Sequence, residues 1–232
     1  MSGANPLPAR DAYPLWAARY EGENAVTQLD QMAAADLSPT LAGRRLLDAG
    51  CGTGRRIPPP SNQGPALAVG VDLARHMLLA GSRGTGFARL IQADVCCLPI
   101  ASGTFYLVWC RLALGHVFNL PAAYKEMHRV AGPGAWLVVT DFHADALRAG
   151  HRRTFRDATG AVREVASRPY TCEDHAAAAD AAGFTLERHR EYRVGPEVRW
   201  FYHQAGCLDR YEKDLGLALV FGLGFLHQSA GG

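Results

Sequence analysis

Neither sign of charge dominates this chain: 24 Lys and Arg stand against 22 Asp and Glu, a formal net charge of +2 over 232 residues. So slight an excess makes no electrostatic case for nucleic acid or for an anionic membrane surface. Long apolar runs are also scarce. The longest, Leu215 to Leu226, is broken by glycines and too short to span a bilayer, and Met1 to Pro14 lacks the apolar core of a signal peptide. A cytoplasmic location without membrane contact is therefore expected. The six cysteines (Cys51, Cys96, Cys97, Cys110, Cys172 and Cys207) form no C-x-x-C pair and no framework with histidines at zinc spacing. No metal site is expected, and reduced thiols are. Repeats and low-complexity segments are lacking too. A hydrophobic content of 48% at this length suits one α/β domain with a small appendage.

What is present is a glycine-rich turn at the end of a strand, Leu46-Leu47-Asp48-Ala49-Gly50-Cys51-Gly52-Thr53-Gly54. Alternate glycines permit positive φ and close approach of a ligand to the backbone. Two ligands compete for such a loop, a dinucleotide and S-adenosylmethionine. A dinucleotide fingerprint places its third glycine where this chain has Arg55. Asp48, just before the loop, repels a diphosphate and attracts the ammonium of a methionine moiety. An amino-acid-bearing cofactor is the better match.

Two further acids repeat the pattern. The strand Ala68 to Leu73 carries Asp72, about twenty residues past the loop, where a carboxylate can take both ribose hydroxyls. Ala88 to Asp94 is a second such strand, and Asp94 suits the amino group of an adenine. Asp48, Asp72 and Asp94 would then line one carboxyl edge of a sheet, where open α/β folds bind ligands. The plain alternative is that each acid caps a helix.

Around this centre the chain divides into residues 1–40, a helical cap read from Arg10 to Glu21 and Ala25 to Leu37, and residues 41–232, the sheet domain. After the glycine loop, Pro58-Pro59-Pro60 removes donors and fixes φ, so the first crossover helix is expected to be short, displaced or broken. Thr104 to Trp109 reads as the fourth strand. Asn119 and Pro121 start a helix whose apolar face is Tyr124, Met127 and Val130, and Gly132-Pro133-Gly134 is read as its stop before a fifth strand over Ala135 to Phe142. His143 to Pro169 reads as a polar, irregular stretch, so residues 143–170 are assigned as a lid. Thr171 caps an alanine-rich helix ending at Gly183, and Leu186 to Val194 pairs antiparallel with Leu217 to Phe225.

With these pieces in place, the chain resembles the class I S-adenosylmethionine-dependent methyltransferases. Within them it resembles the small-molecule branch of the ubiquinone/menaquinone C-methyltransferases and the biotin-pathway malonyl-carrier-protein O-methyltransferases. The resemblance runs from Tyr13 to about Phe225. It is carried by Tyr13 to Tyr20, by Asp48 to Gly54, by Asp94 with Leu98-Pro99, and by Glu126 to Val130 followed by Gly132-Pro133-Gly134. It implies a doubly wound α/β fold: a mostly parallel seven-stranded sheet, helices on both faces and an antiparallel last strand. It also implies methyl transfer from S-adenosyl-L-methionine to a small-molecule acceptor, leaving S-adenosyl-L-homocysteine. The cofactor set it implies is Tyr13, Tyr20, Asp48, Ala49, Gly50, Gly52, Asp72, Leu73, Asp94, Val95 and Arg111.

Methyl transfer needs alignment and exclusion of water more than it needs side-chain chemistry. Candidate catalytic groups are Tyr20, His116 and His143, with Asp141 as an orienting carboxylate. Tyr20 can equally pack its ring over the cofactor, and the histidines can be hydrogen-bonded structural residues. Arg148, His151, Arg152, Arg153 and Arg156 make a basic cluster that either draws an acidic or carrier-bound acceptor or is a solvated loop. Nucleic acid is not the expected substrate, because Cys110-Arg111-Leu112-Ala113 lacks the Asn/Asp-Pro-Pro-aromatic turn used on flipped bases. A cofactor-binding protein repurposed for a non-transfer reaction is the competing function. Oligomeric state has no signal in the sequence.

Overall fold

The computed structural model describes residues 5–17, 20, 22–81 and 88–228. Residues 18, 19 and 21 of the expected first cap helix lie outside them. The strands are β1 (Arg45–Ala49), β2 (Leu67–Asp72), β3 (Arg89–Gln92), β4 (Phe105–Arg111), β5 (Ala131–Phe142), β6 (Thr154–Arg156), β7 (Val162–Glu164), β8 (Phe184–Arg193) and β9 (Ala218–His227). Seven make one sheet in the order β3-β2-β1-β4-β5-β9-β8, and β6 and β7 form a separate hairpin. The pairs from β3 through to β5 are parallel, whereas β9 is antiparallel to both β5 and β8. β8 thus runs with the other five and β9 alone is reversed.

The helices are α1 (Ala9–Trp16), α2 (Ala25–Leu37), α3 (Arg75–Gly81), α4 (Leu120–Val130), α5 (Ala144–Arg148), α6 (Cys172–Ala182), α7 (Arg199–Gln204) and α8 (Leu208–Asp214). Central strands read as nearly continuous apolar runs because both faces are covered. Leu47, Val69, Val108 and Leu137 pack in one cluster with Tyr124, Met127 and Val130 of α4 and Ala179 of α6. On the other face Leu46, Ala68, Leu107 and Val138 meet Leu37 of α2 and Leu78 of α3. Helix α2 reaches the sheet closely because Gly222 of β9 has no side chain; a Cβ there would lie 2.6 Å from Leu37 Cδ1.

Local signals fix the helix ends. The Asn119 side chain accepts from Ala122 N at the start of α4, with proline in its first turn. Thr171 and Asp174 form a reciprocal capping box on α6, which ends on Gly183 at φ +100°.

Three features differ from the sequence reading. The β1 to β2 crossover, residues 50–66, holds turns and bends and no helix. The three prolines stop helix growth, and Ile57, 2% exposed, fills the place beside Leu46 and Ala68 that a helix face would take. Gly132-Pro133-Gly134 is not a helix stop between two elements, because β5 already begins at Ala131, opposite Phe105. A register shift between Phe105 and Leu107 carries the proline past the ladder. The stretch from His143 to Pro169 is not irregular: it contains α5 and the β6-β7 hairpin. Phe155 of that hairpin stacks on Trp16 of α1 at 5.1 Å, and Leu7 bridges to Val165.

Candidate cofactor edge and acceptor cleft

Parallel strands β1, β2 and β3 bring Asp48, Asp72 and Asp94 to one carboxyl edge. The loop after β1 is bound to β2 through Gly50 N and Cys51 N, which both donate to Val71 O at 2.7 and 3.0 Å. Gly50 has φ +81°, and a Cβ added to it would lie 2.5 Å from Ala113 Cβ, so only glycine lets this loop sit against the end of β4. Asp72 accepts from Gly52 N and Ala74 N, each at 2.7 Å. These bonds fix the carboxylate in place and leave lone pairs for a ligand, while burial still raises its pKa. Beside it Leu73 is 58% exposed, an apolar face without cover.

Asp94 lies two residues beyond β3, where its Oδ1 accepts from Cys96 N at 2.8 Å. The turn that follows is held from α4. Glu126 accepts from Leu98 N at 2.7 Å, and Arg129 donates to Leu98 O and Ile100 O at 2.9 and 2.6 Å. Val95 is buried against the same core.

Asp48 differs from the other two acids. It is 4% exposed and its Oδ1 has no hydrogen-bond partner among the described residues. Burial pushes its carboxyl up to about 6, against the pull of Arg111 and Arg56. A buried acceptor left open in this way fits the ammonium of an amino-acid moiety. Ala49, which precedes the loop, is fully buried in the core cluster.

Arg111 serves a different partner. At the end of β4 it donates through Nε and Nη2 to Asp30 of α2, at 3.2 and 2.8 Å, and packs over the Trp109 ring at 5.0 Å. Arg56 also donates to Asp30, and Thr140 Oγ1 does so at 2.6 Å. One fully buried carboxylate thus ties α2, the loop after β1, β4 and β5 together. Asp30 shares the helical face of Ala33, Ala34 and Leu37, and an acid on an apolar stripe is the sequence signal that would have found it.

A cleft of about 650 Å³ opens beside this edge, between α1, α2, the β6 segment and α7-α8. Tyr13, Tyr20 and Leu112 line its inner end, while Asp48, Asp72 and Asp94 lie outside it. Tyr20 is the seam: its ring approaches to 3.7 Å of the position a Gly52 Cβ would occupy, and it stacks edge-on against Trp16 at 4.8 Å. Leu112 has φ +54°, the one positive φ outside glycine among the described residues. Its carbonyl accepts from Arg153 Nη1, and Arg153 Nη2 donates to Asp141 Oδ1 at 3.0 Å. Asp141 also accepts from Gly115 N at 2.8 Å, so the Arg153 segment is strapped across the ends of β4 and β5. Arg55, His151, Arg152, Arg153 and Arg210 line the cleft, and no carboxylate of the described residues does.

The structure separates the two candidate histidines. His116 Nδ1 lies 3.0 Å from Ala166 O, a carbonyl that only accepts, so the hydrogen sits on Nδ1 and Nε2 accepts from Tyr13 OH at 3.0 Å. Burial, with Arg153 second, pushes His116 down to about 4, and burial raises Tyr13 above the usual phenol range. His143 caps α5, accepting from Asp145 N at 3.1 Å, with Nε2 3.5 Å from Glu191, and it is not among the cleft residues. The basic cluster divides as well. His151, Arg152 and Arg153 face the cleft, whereas Arg148 pairs with Asp145 and Arg156 donates to Gly160 O. Phe142, Phe201 and Tyr202 also wall the cleft, and their positions on β5 and α7, far apart in the chain, left no local signal. Among the described residues no helix is long and apolar enough to cross a membrane, and no cluster of His, Cys, Asp and Glu could hold a metal ion.

Comparison with known proteins identifies the frame of this site. A family model described as a methyltransferase domain matches residues 47–139. Malonyl-(acyl-carrier protein) O-methyltransferase of Enterobacter lignolyticus is 32% identical over 131 residues, 56% of this chain and 52% of that protein. The chain spans about half the length of this relative, of a second malonyl-(acyl-carrier protein) O-methyltransferase and of a demethylmenaquinone methyltransferase from Renibacterium salmoninarum. Demethylmenaquinone methyltransferase of Beutenbergia cavernae is 30% identical over 201 residues, 82% of this chain and 78% of that protein. Among solved structures, a complex of the Haloferax volcanii Trm112 methyltransferase activator with a putative methyltransferase superposes with a TM-score of 0.71 at 15% identity. That match covers 96% of this chain and 99% of the other, and shows the fold. On sequence, strand order and loop geometry together, the chain belongs to the class I S-adenosylmethionine-dependent methyltransferases.

Proposed function

We propose that this protein transfers a methyl group from S-adenosyl-L-methionine to an acidic small molecule held in the cleft, leaving S-adenosyl-L-homocysteine. The observation that carries the reading is the open Oδ1 of buried Asp48 at the head of an acid-ended edge that abuts a basic, aromatic cleft. The cofactor supplies an activated methyl on a sulfonium, so the chain's own task is to bind, align and keep water out.

Asp48 holds the ammonium, and the backbone of Ala49, Gly50 and Gly52 lets the methionine moiety approach. Asp72, already oriented by two N–H groups, takes the ribose hydroxyls. Asp94 takes the adenine amino group, with Leu73 and Val95 packing against the ring. Tyr13 and Tyr20 close the seam between edge and cleft. Arg111 acts through Asp30 in this reading, as a brace of the edge. Residues 1–40 form the cap and residues 143–170 the lid, with Arg153 as the strap that joins the lid to the sheet.

The cleft's guanidinium groups favour an acceptor that carries or develops negative charge, at a carboxyl or phenol oxygen or at an activated carbon, free or carrier-bound. Relatives are named for malonyl-acyl-carrier protein, a carrier-bound acid, and for demethylmenaquinone. Calorimetric titration with S-adenosylmethionine, S-adenosylhomocysteine and NAD tests the cofactor. Binding of the first two and not of NAD is expected. Asp72→Ala and Asp94→Ala are each expected to lose about 1.5–3 kcal/mol of that binding, the range for hydrogen bonds to charged groups. Unchanged affinity in both variants would remove the carboxyl edge from the cofactor site.

A further inference from the structure

Among the described residues His151 is the one histidine that lines the acceptor cleft. It stands just before the Arg152-Arg153 strap, and its Nε2 lies 2.9 Å from Asp214 Oδ2. A carboxylate only accepts, so Nε2 carries the ring hydrogen and Nδ1 the lone pair. Nδ1 makes no hydrogen bond with any described residue. Asp214, at the end of α8 and 3% exposed, is itself held by Arg210 Nε at 2.7 Å and Tyr202 OH at 3.4 Å. A ring of the cleft wall fixed by a buried carboxylate, with its second nitrogen unbonded to any described residue, is the geometry of an oriented general base. His116 has neither property, since both its nitrogens are engaged.

The charged and titratable neighbours of His151 agree with this. They are Arg152 beside it, Arg210 and Asp214 from α8, and Tyr202 from α7 through Asp214. Burial lowers the imidazole's pKa, Arg210 and Arg152 lower it further, and Asp214 opposes them. The ring is therefore neutral at pH 7 and able to accept a proton.

We propose that His151, oriented by Asp214, is the general base of the acceptor cleft and that the acceptor presents a weakly acidic hydroxyl, phenolic or enolic, to Nδ1. The inference rests on the methyl-transfer reading and narrows its acceptor. A carboxylic acid arrives already ionised at pH 7 and has no proton to give, so a built base in the cleft selects the hydroxyl class. Tyr202, Phe142 and Phe201 on the walls suit a flat, unsaturated ring. In the step, the hydroxyl proton passes to Nδ1 and the oxygen's electron pair forms the bond to the methyl carbon. The carbon–sulfur bond breaks with its pair staying on sulfur. The imidazolium, stabilised by Asp214, then returns its proton to water.

The test uses the whole protein with a naphthol and its nitro derivative, which differ strongly in acidity and little in ring shape. His151→Gln is expected to keep the melting temperature and the S-adenosylhomocysteine affinity. It should lose about 10²-fold in kcat on the naphthol, within the range for general-base catalysis, and far less on the nitronaphthol, which ionises without help. Asp214 is a positioning residue, so Asp214→Asn should move the acidic limb of the pH–rate profile to lower pH. The His151 ring-proton resonance of the free protein, titrated by NMR, should move the same way without any turnover. Should Asp214→Asn not fold, Arg210→Gln gives the opposite sign, raising the imidazole's pKa. Equal losses on both naphthols, or an imidazole titration unmoved in these variants, overturns the assignment. Methylation of carboxylic acids with neither naphthol accepted sinks the base and leaves methyl transfer standing; no binding of S-adenosylhomocysteine sinks the methyl-transfer reading itself.

Discussion

Asp30 and Asp48 are two buried carboxylates that feel the same two guanidiniums, Arg56 and Arg111, and they are built in opposite ways. Asp30 accepts from both arginines and from Thr140, and these partners outweigh the burial that would raise its pKa, leaving it lowered. Asp48 has an empty Oδ1, and burial wins: its carboxyl is raised to about 6. The first arrangement is complete within the chain, so its role is to hold elements together. The second is incomplete, and a buried acceptor without a partner is a cost that a cationic ligand removes. The contrast separates a brace from a binding group more sharply than proximity to the glycine loop would.

The largest effect should come from breaking the brace. Asp30→Ala leaves two buried guanidiniums without their shared anion, and removal of one partner from a buried ion pair costs about 3–5 kcal/mol. Denaturant unfolding followed by circular dichroism measures it; a loss below 1 kcal/mol, the worth of a surface pair, would mean that the network does not brace the fold. Asp48→Asn should do the reverse. It keeps the shape, removes a charge the folded state disfavours, and so leaves stability at pH 7 undiminished. Its cost appears in binding, about 1.5–3 kcal/mol of S-adenosylhomocysteine affinity by calorimetry, as expected for a charge-assisted bond. If Asp48→Asn unfolds the protein as Asp30→Ala does, the distinction between the two acids fails. A smaller contrast lies just before the β6-β7 hairpin, where Arg152 is half exposed and 3.8 Å from Glu164 while Arg153 is buried on Asp141. Arg152→Ala should change stability by less than about 1 kcal/mol, the worth of a surface pair.

What the sequence showed and what it hid follow the range of the contacts. Asp48, Asp72 and Asp94 each lie within two residues of a strand's end and so were visible as local pattern, as were the Asn119 and Thr171 caps and the helix-breaking prolines of residues 58–60. The cleft was not, because its parts meet only in the folded chain: His151 finds Asp214 across 63 residues, Arg153 finds Leu112 across 41 and Arg111 finds Asp30 across 81. The resemblance puts Arg111 in the cofactor set, whereas in the fold it engages Asp30, whose only local mark is that of an acid on the apolar stripe of α2. Gly132-Pro133-Gly134 misled for a related reason. Such residues end a helix, but here the chain enters β5 first and absorbs them in a register shift that depends on Phe105.

The effect that reads Asp48 alone is a pH dependence. A carboxyl whose pKa is raised on folding, here to about 6 from 3.8, binds its proton more tightly in the folded chain. Stability then falls as pH rises through that window, with a slope of at most about 1.4 kcal/mol per pH unit for one group. Asp30 has the opposite sign and a separate window: its contribution is full above the ordinary carboxylate value and is lost as pH falls below it. The difference in unfolding free energy between the protein and Asp48→Asn should therefore change between about pH 4 and 6, against the variant's flatter line. An ammonium placed on Asp48 favours the ionised form, so binding of S-adenosylhomocysteine near pH 6 should release a proton, detected as a dependence of the binding enthalpy on the buffer. A binding enthalpy independent of buffer, with the stability difference unchanged across the window, would mean that Asp48 neither titrates there nor meets the ligand's charge.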